Sequence, residues 1–345
     1  MSDFTSIKNI IVHNIGNKLR EEEIQISKSL LKVDNPVKEL LLKYFLSPFT
    51  SNEYYNLHHE SEVQLNEVYT YITRIFENQE ELLVQSINLA KHLYEKSTHP
   101  KVKAGEFYVV YFKRCMIENQ EVDAIGLFKS ENKDTYLKVY PKGDNFEINY
   151  EDGININKLD KGCLIFNTEK DKGYLVSIVD SLSRGSEAQY WKDDFLHLKP
   201  REDNYHQTKN VLNLCKSFVV DKLSEDFDAS KADQAIMLNK SVDYFKVNDS
   251  FKIDDFAAEV IQQPEVIKAF KDYRGQFELD RDVKLMDDFD ISATAVKKQQ
   301  KVFKSVIKLD KNFHIYIHGN REMIEKGMDD ANGMHYYKFF YKEES

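Results

Sequence analysis

The chain has 345 residues, of which 41% are hydrophobic, which excludes a disordered polypeptide and gives length enough for two cores. Lysine and arginine number 48 against 58 aspartate and glutamate, a formal net charge of -10. That balance excludes a histone-like protein that coats DNA through bulk positive charge, but it leaves room for a local basic patch.

Residues 7–15 and 22–27 read as an N-terminal hairpin turning at Gly16 and Asn17. Asp34 then caps a helix with Pro36 in its first turn and Leu40, Leu41, Tyr44 and Phe45 on its apolar face. A second helix is predicted over 61–76 and a third over 79–96, followed by a polar, lysine-bearing loop at 97–105. The hydrophobic period then changes from 3.6 to 2. Residues 107–117 (FYVVYFKRCMI) form a strand whose continuous apolar start predicts burial on both faces. Strands follow at 124–129, 136–140 and 146–150, then a hairpin with arms at 163–166 and 174–179. Short polar connections between successive strands favour an antiparallel meander, because parallel neighbours need a long crossover.

An amphipathic helix capped by Ser186 is predicted next, with Ala188, Trp191, Phe195 and Leu198 on one face. After a charged break around Pro200, helices are predicted over 205–223, 231–245, within 250–261 with Ser250 and Asp254 as caps, and from Pro264 to about 273. Residues 221–265 carry eleven acidic and five basic side chains. Residues 278–290 are also acidic, but 294–311 carry six lysines against Asp310 alone. Strands at 305–309 and 313–318 turn at 310–312, and a last hairpin turns near Asn332 and Gly333. The expected fold class is therefore α+β: a mostly antiparallel sheet with packed helices, an acidic helical middle and a small C-terminal α+β part. The corresponding domains are 1–199, 200–277 and 278–345, the last with a basic helix and β-hairpins.

The chemistry-bearing candidates are basic. Lys297, Lys301 and Lys304 fall at i, i+4 and i+7, so a helix projects them from one face, with Lys298 beside them and Val296 and Phe303 on another side as anchors. Such a row can follow a phosphate backbone and release counterions, or it can be a solvated helix face. Lys101 and Lys103, with Lys96, His92 and His99, form a second basic spot in the loop before the first long strand. Arg184 stands at a strand-to-helix turn, where it can grip a phosphate beside a helix N-terminus or pair with Asp180 or Glu187.

Other constellations point less far. His314 and His318 alternate on a strand with no third ligand in view, so no metal site is expected. Glu202–Asp203 and Asp287–Asp288 are acidic pairs of the kind a divalent-metal nuclease uses, and equally of the kind found on surface loops. No G-x-S-x-G, P-loop, GxGxxG or HExxH is present. Cys115, Cys163 and Cys215 lack CxxC or Cys/His spacing and are expected to be buried free thiols, as in a reducing cytoplasm. The first residues, MSDFTSIKN, carry no secretory signal pattern, and no apolar run approaches the ~18 residues that span a bilayer.

Four blocks carry a family resemblance: IKNIIVHNIG, DSLSRGSEAQYWKDDFL continuing into QTKNVLNLCKSFV, DDFAAEVIQQPEVIKAF, and KSVIKLDKNFHIYIHG. With these, in this order and over most of its length, the chain resembles the bacterial nucleoid-associated protein family of the NdpA/YejK type, most like its Bacteroidetes members. The resemblance implies a cytoplasmic protein found with the nucleoid and binding DNA, with no catalytic residues to carry over. The expectation is a non-enzymatic protein without cofactor. It contacts double-stranded DNA mainly through phosphates, by way of Lys297, Lys298, Lys301 and Lys304, with Arg184, Lys101 and Lys103 as further candidates. Other nucleoid proteins are further partners, the membrane is not, and a homodimer is expected because two weak patches on one DNA gain avidity. Two other function classes stand beside it. One is an interaction module whose acidic middle binds a basic or DNA-binding partner. The other is a metal-dependent phosphodiesterase built on scattered carboxylates.

Overall fold

The computed structural model describes residues 5–181, 190–227, 229–300, 303, 306–316 and 323–343. The chain forms two compact units, Met1–Arg201 and Glu202–Ser345. The fold is α+β.

The first unit is built on strands β1 (Ser6–Ile15), β2 (Ile24–Gln25), β3 (Tyr54–Leu57), β4 (Gly105–Ile117), β5 (Gln120–Ser130), β6 (Asp134–Lys142), β7 (Asn145–Gly153), β8 (Lys161–Phe166), β9 (Leu175–Asp180) and β10 (Leu198–Pro200). Eight of them make one antiparallel sheet in the order β10-β3-β9-β8-β5-β4-β1-β2. The period-2 pattern of β4 divides its side chains between two cores. Phe107, Val109 and Tyr111 join a cluster with Ile125, Leu127, Cys163, Ile165, Leu89 and Trp191. Tyr108, Val110 and Phe112 join a second with Tyr44, Phe45, Phe128, Leu164 and Phe166.

Helix α1 (Asn35–Leu46) supplies the second cluster, and α2 (Glu67–Glu77), α3 (Leu82–Lys96) and a π-helical turn at Tyr190–Phe195 supply the first. Asp34 caps α1 as its sequence predicts, accepting a hydrogen bond from Val37 N at 3.0 Å. At the β8–β9 turn, Gly173 holds φ at +100°, and a Cβ there would lie 1.9 Å from Leu57 O.

Several local expectations are corrected. The helix predicted through Leu198 ends at Phe195. His197 takes a left-handed φ of 51°, and Leu198 opens β10 opposite Leu57. The cap expected at Ser186 lies outside the described residues. The second helix starts at Glu67, not 61, because Asn66 accepts from Tyr69 N at 2.9 Å and so caps it there. On α1, Tyr44 and Phe45 are buried but Leu40 is exposed. Strands β6 and β7 form a two-stranded ribbon of their own and add nothing to the eight-stranded sheet.

The second unit starts with helix α4 (Asn204–Ser217), which runs through a π-helical turn at Phe218–Lys222 into Leu223–Phe227. Then come α5 (Lys231–Val247), β11 (Ser250–Lys252), α6 (Ile253–Phe256) with a π-turn at Ala257–Ile261, and α7 (Pro264–Arg281). Last are β12 (Asp288–Asp290), α8 (Ala293–Gln300) and the hairpins β13 (Val306–Leu309) with β14 (Phe313–Tyr316), and β15 (Ile324–Asp329) with β16 (Met334–Phe339). β11 pairs with β12, which places Phe289 on Phe251 at 5.0 Å, and Phe251 stacks on Phe245 at 5.4 Å. Leu285, Phe289, Val296 and Phe303 thus enter the same core as Leu212, Phe218, Phe256 and Phe270.

Two cap expectations fail here: Ser250 lies in a strand and Asp254 inside the first helical turn. α7 also runs past residue 273. Gly275 costs helix stability by only about 1 kcal/mol, and the buried Phe277 and the Arg274–Glu278 pair hold the helix beyond it.

Candidate nucleic-acid interface

Two of the cationic positions singled out by sequence lie on α8. Its start is fixed from below: Ser292 N donates to Thr208 Oγ1 at 2.9 Å, and Ala295 N donates to Ser292 Oγ at 3.4 Å. Ala295, Val296 and Gln299 are buried, which turns Lys297 and Lys298 outward to solvent. Phe303, also buried, anchors the chain just beyond. Lysines in the last turn also complement the helix dipole. Lys301, Lys304 and Arg184 lie outside the described residues, as does His318.

Lys101 and Lys103 lie in the loop between α3 and β4, and that loop is tied down. Asn17 donates through Nδ2 to His99 O at 2.9 Å and to Val102 O at 2.7 Å. Arg20 donates to Pro100 O at 2.9 Å and Val102 O at 3.0 Å. Arg20 and the Asn17 amide also hold the Glu22 carboxyl below its usual pKa. Val102 is buried, so Lys101 and Lys103 on either side of it face out. His92 does not belong to this spot: it hydrogen-bonds Phe195 O at 3.1 Å, and burial lowers its pKa.

Beneath the loop is a cleft of about 350 Å³ lined by Arg20, Lys101, Lys103, Glu131, Asn132, Lys161 and Tyr190, among others. Its floor is a charged rung that sequence reasoning missed. Lys129 and Lys161 are cross-strand partners on β5 and β8, and Lys161 is in turn opposite Asp180 on β9. Two lysines face to face repel unless each finds an acid. Lys161 Nζ reaches both Asp180 oxygens at 2.9 Å, and Lys129 Nζ reaches Glu131 at 3.0 Å and Lys103 O at 2.9 Å.

Tyr190 closes the floor. Its hydroxyl donates to Glu131 at 2.5 Å, and its ring lies 5.0 Å from Lys161 Nζ and 5.6 Å from Lys129 Nζ. Burial and the adjacent Glu131 raise the Tyr190 pKa well above normal, while burial lowers that of Lys129 against the pull of Glu131. The only hint of this in the sequence is a lysine at the end of each of two apolar runs, AIGLFK and KGCLIF.

Residues 11–332 match the family model described as nucleoid-associated protein YejK. The chain belongs to this nucleoid-associated family. The match runs from β1 to the turn between β15 and β16 and so takes in both units. No curated protein matches the chain. Among the described residues no group of three or more His, Cys, Asp or Glu side chains is placed to hold a metal. Of the acidic pairs, Asp203 accepts from His206 N at 2.9 Å at the start of α4, and Asp287 pairs with Arg274. No helix among the described residues is long and apolar enough to cross a membrane.

Proposed function

We propose that this nucleoid-family chain is a non-enzymatic, cytoplasmic DNA-binding protein that contacts the phosphate backbone rather than base edges. Family membership across both units carries the reading. It is supported by the outward lysines of α8 and by the pinned Lys101–Lys103 loop above a cationic cleft. The whole-chain charge fits local contact: from residue 291 onward ten basic residues stand against seven acidic ones, whereas the preceding stretch of the unit is strongly acidic. Binding of this kind is weak and falls steeply with salt.

The test is duplex binding by fluorescence anisotropy across a salt series. Lys297→Ala/Lys298→Ala/Lys301→Ala/Lys304→Ala is compared with Lys101→Ala/Lys103→Ala and wild type. Each phosphate contact removed flattens the slope of log affinity against log salt by about 0.9. A slope unchanged in both variants removes these sites, and no binding at low salt removes direct DNA contact.

A second reading is favoured by the surface of residues 221–265, where nine of the ten described acidic side chains are exposed. In that reading the second unit binds a basic nucleoid partner. A pull-down from lysate that recovers no basic protein counts against it.

A further inference from the structure

The β6–β7 ribbon carries a surface apart from the lysines of the proposed DNA contact. Its strands pair in register from Asp134↔Gly153 to Lys142↔Asn145, and Gly143 at φ +58° makes the tight turn. Alternation then sorts its side chains onto two faces. One face holds Tyr136, Lys138, Tyr140, Glu147, Asn149 and Glu151 and is internally satisfied. Lys138 pairs with Glu151, Lys142 with Glu147, and Asn149 Nδ2 donates to Tyr140 Oη at 2.6 Å.

The other face is a continuous apolar strip in which Leu137 sits opposite Tyr150, Val139 opposite Ile148 and Pro141 opposite Phe146. Leu137, Val139, Phe146, Ile148 and Tyr150 keep between 61% and 74% of their surface exposed. A two-stranded ribbon open on both faces is marginal in water, and an apolar strip of this extent is rare on a monomer.

We propose that this face is the homodimer interface of the chain, two ribbons packing apolar face to apolar face about a two-fold axis. At about 150–250 Å² for a large side chain, the five residues expose roughly 700 Å². That is close to the ~800 Å² per partner of a standard stable interface. An isologous contact sets the same strip against itself, and apolar side chains need no complementary pattern to do so. The ion-paired face stays in water. Charge disfavours nucleic acid as the occupant: residues 134–153 carry five acidic side chains against two lysines. The assignment does not rest on the DNA reading.

The test is sedimentation velocity of the full chain without DNA, over a dilution series and at low and high salt. Leu137→Glu/Ile148→Glu is compared with the polar-face control Lys138→Gln and with a variant in which 136–151 is replaced by a short Gly/Ser turn. Circular dichroism and Trp191 fluorescence report folding of each. The expected result is a salt-insensitive wild-type dimer and a dimer of the control. Dimerisation of the double variant is weakened at least about a hundredfold, since each new carboxylate is buried without a partner in the dimer, and the turn-replacement variant is monomeric. A wild-type chain that stays monomeric at tens of micromolar overturns the proposal. So does a dimer that survives ribbon replacement. A ribbon variant that remains dimeric but loses DNA binding assigns the strip to nucleic acid and overturns it as well.

Discussion

His13 on β1 gives the first unit a built-in acid sensitivity. The ring is buried, and burial lowers its pKa from 6.5 to about 4. Its bonds define one tautomer: Ser27 N donates to Nδ1 at 3.1 Å, so Nε2 carries the proton and donates to Ser86 Oγ at 3.1 Å, while Ser86 Oγ donates to Leu83 O at 2.7 Å. Protonation therefore charges a buried ring and also turns Nδ1 from acceptor to donor against the Ser27 amide. The folded pKa lies below the unfolded one, so the unfolded chain binds more protons between pH 6.5 and 4. The contribution is complete above about pH 6.5, falls as pH drops toward 4, and changes no further below that. Linkage over this shift gives a loss of about 2 kcal/mol between pH 7 and pH 5 from this one group. The assay is urea unfolding followed by Trp191, the sole tryptophan, which is buried in the same core cluster as Leu89 and Ile15. At a urea m-value of about 2 kcal/mol/M the midpoint falls by about 1 M more for wild type than for His13→Gln over that pH range. Equal pH dependence in the two proteins refutes the reasoning.

Further outcomes follow from other buried groups. Glu131→Gln strands the Lys129 ammonium in the core, at a cost on the order of 3–5 kcal/mol. The expected fall in Trp191-detected melting temperature is about 10 °C, whereas Lys129→Met/Glu131→Leu/Tyr190→Phe recovers most of it. A Glu131→Gln protein that melts with wild type contradicts the buried pair. Burial pushes the Cys115 and Cys215 thiols up to about 12 and raises Cys163 as well. All three should resist a disulfide reagent at pH 8 until guanidinium unfolds the chain, and one fast-reacting thiol in the native protein disproves it. Phe251→Ala removes the ring held between Phe245 and Phe289. A loss of about 3–5 kcal/mol is expected, seen as an earlier far-ultraviolet circular dichroism transition, and an unshifted transition rules out that stack as a core.

What could be read from sequence was what neighbouring residues decide. The period-2 run of β4, the β8–β9 hairpin and the Asp34 cap are local patterns, and each is found where its residues predict it. β3 was invisible because its four residues pair with β9 and β10, about 120 and 140 positions away. Leu198 repeats the helical spacing of Trp191 and Phe195, yet it is buried by a strand pairing with Leu57. The strands of the ribbon are legible, but not their separation from the sheet, because alternation fixes faces and not neighbours. Lys297 and Lys298 stand out as a basic run. The Lys129–Lys161 rung does not, since the two residues are 32 positions apart and meet only through strand register.

That rung also explains how an expensive feature can be retained. A buried ion pair adds little net stability over an apolar replacement, so Lys129 and Glu131 are poor candidates for holding the unit together. They are good candidates for fixing its register. Lys129 shares a face with Leu127 and Ile125, toward Tyr190 and Trp191, while Phe128 points to the opposite core, stacked on Phe45 at 4.2 Å. A one-residue slip of β5 against β8 exchanges the faces. Lys129 and Glu131 then leave Tyr190, and a charged pair enters the aromatic cluster of Phe45 and Tyr108. The same lysine donates to Lys103 O, so the rung is also tied to the Lys101–Lys103 loop that Asn17 and Arg20 hold. The loop's lysines, displayed above the cleft, are therefore positioned by Asn17, Arg20 and Lys129, residues outside the loop's own sequence.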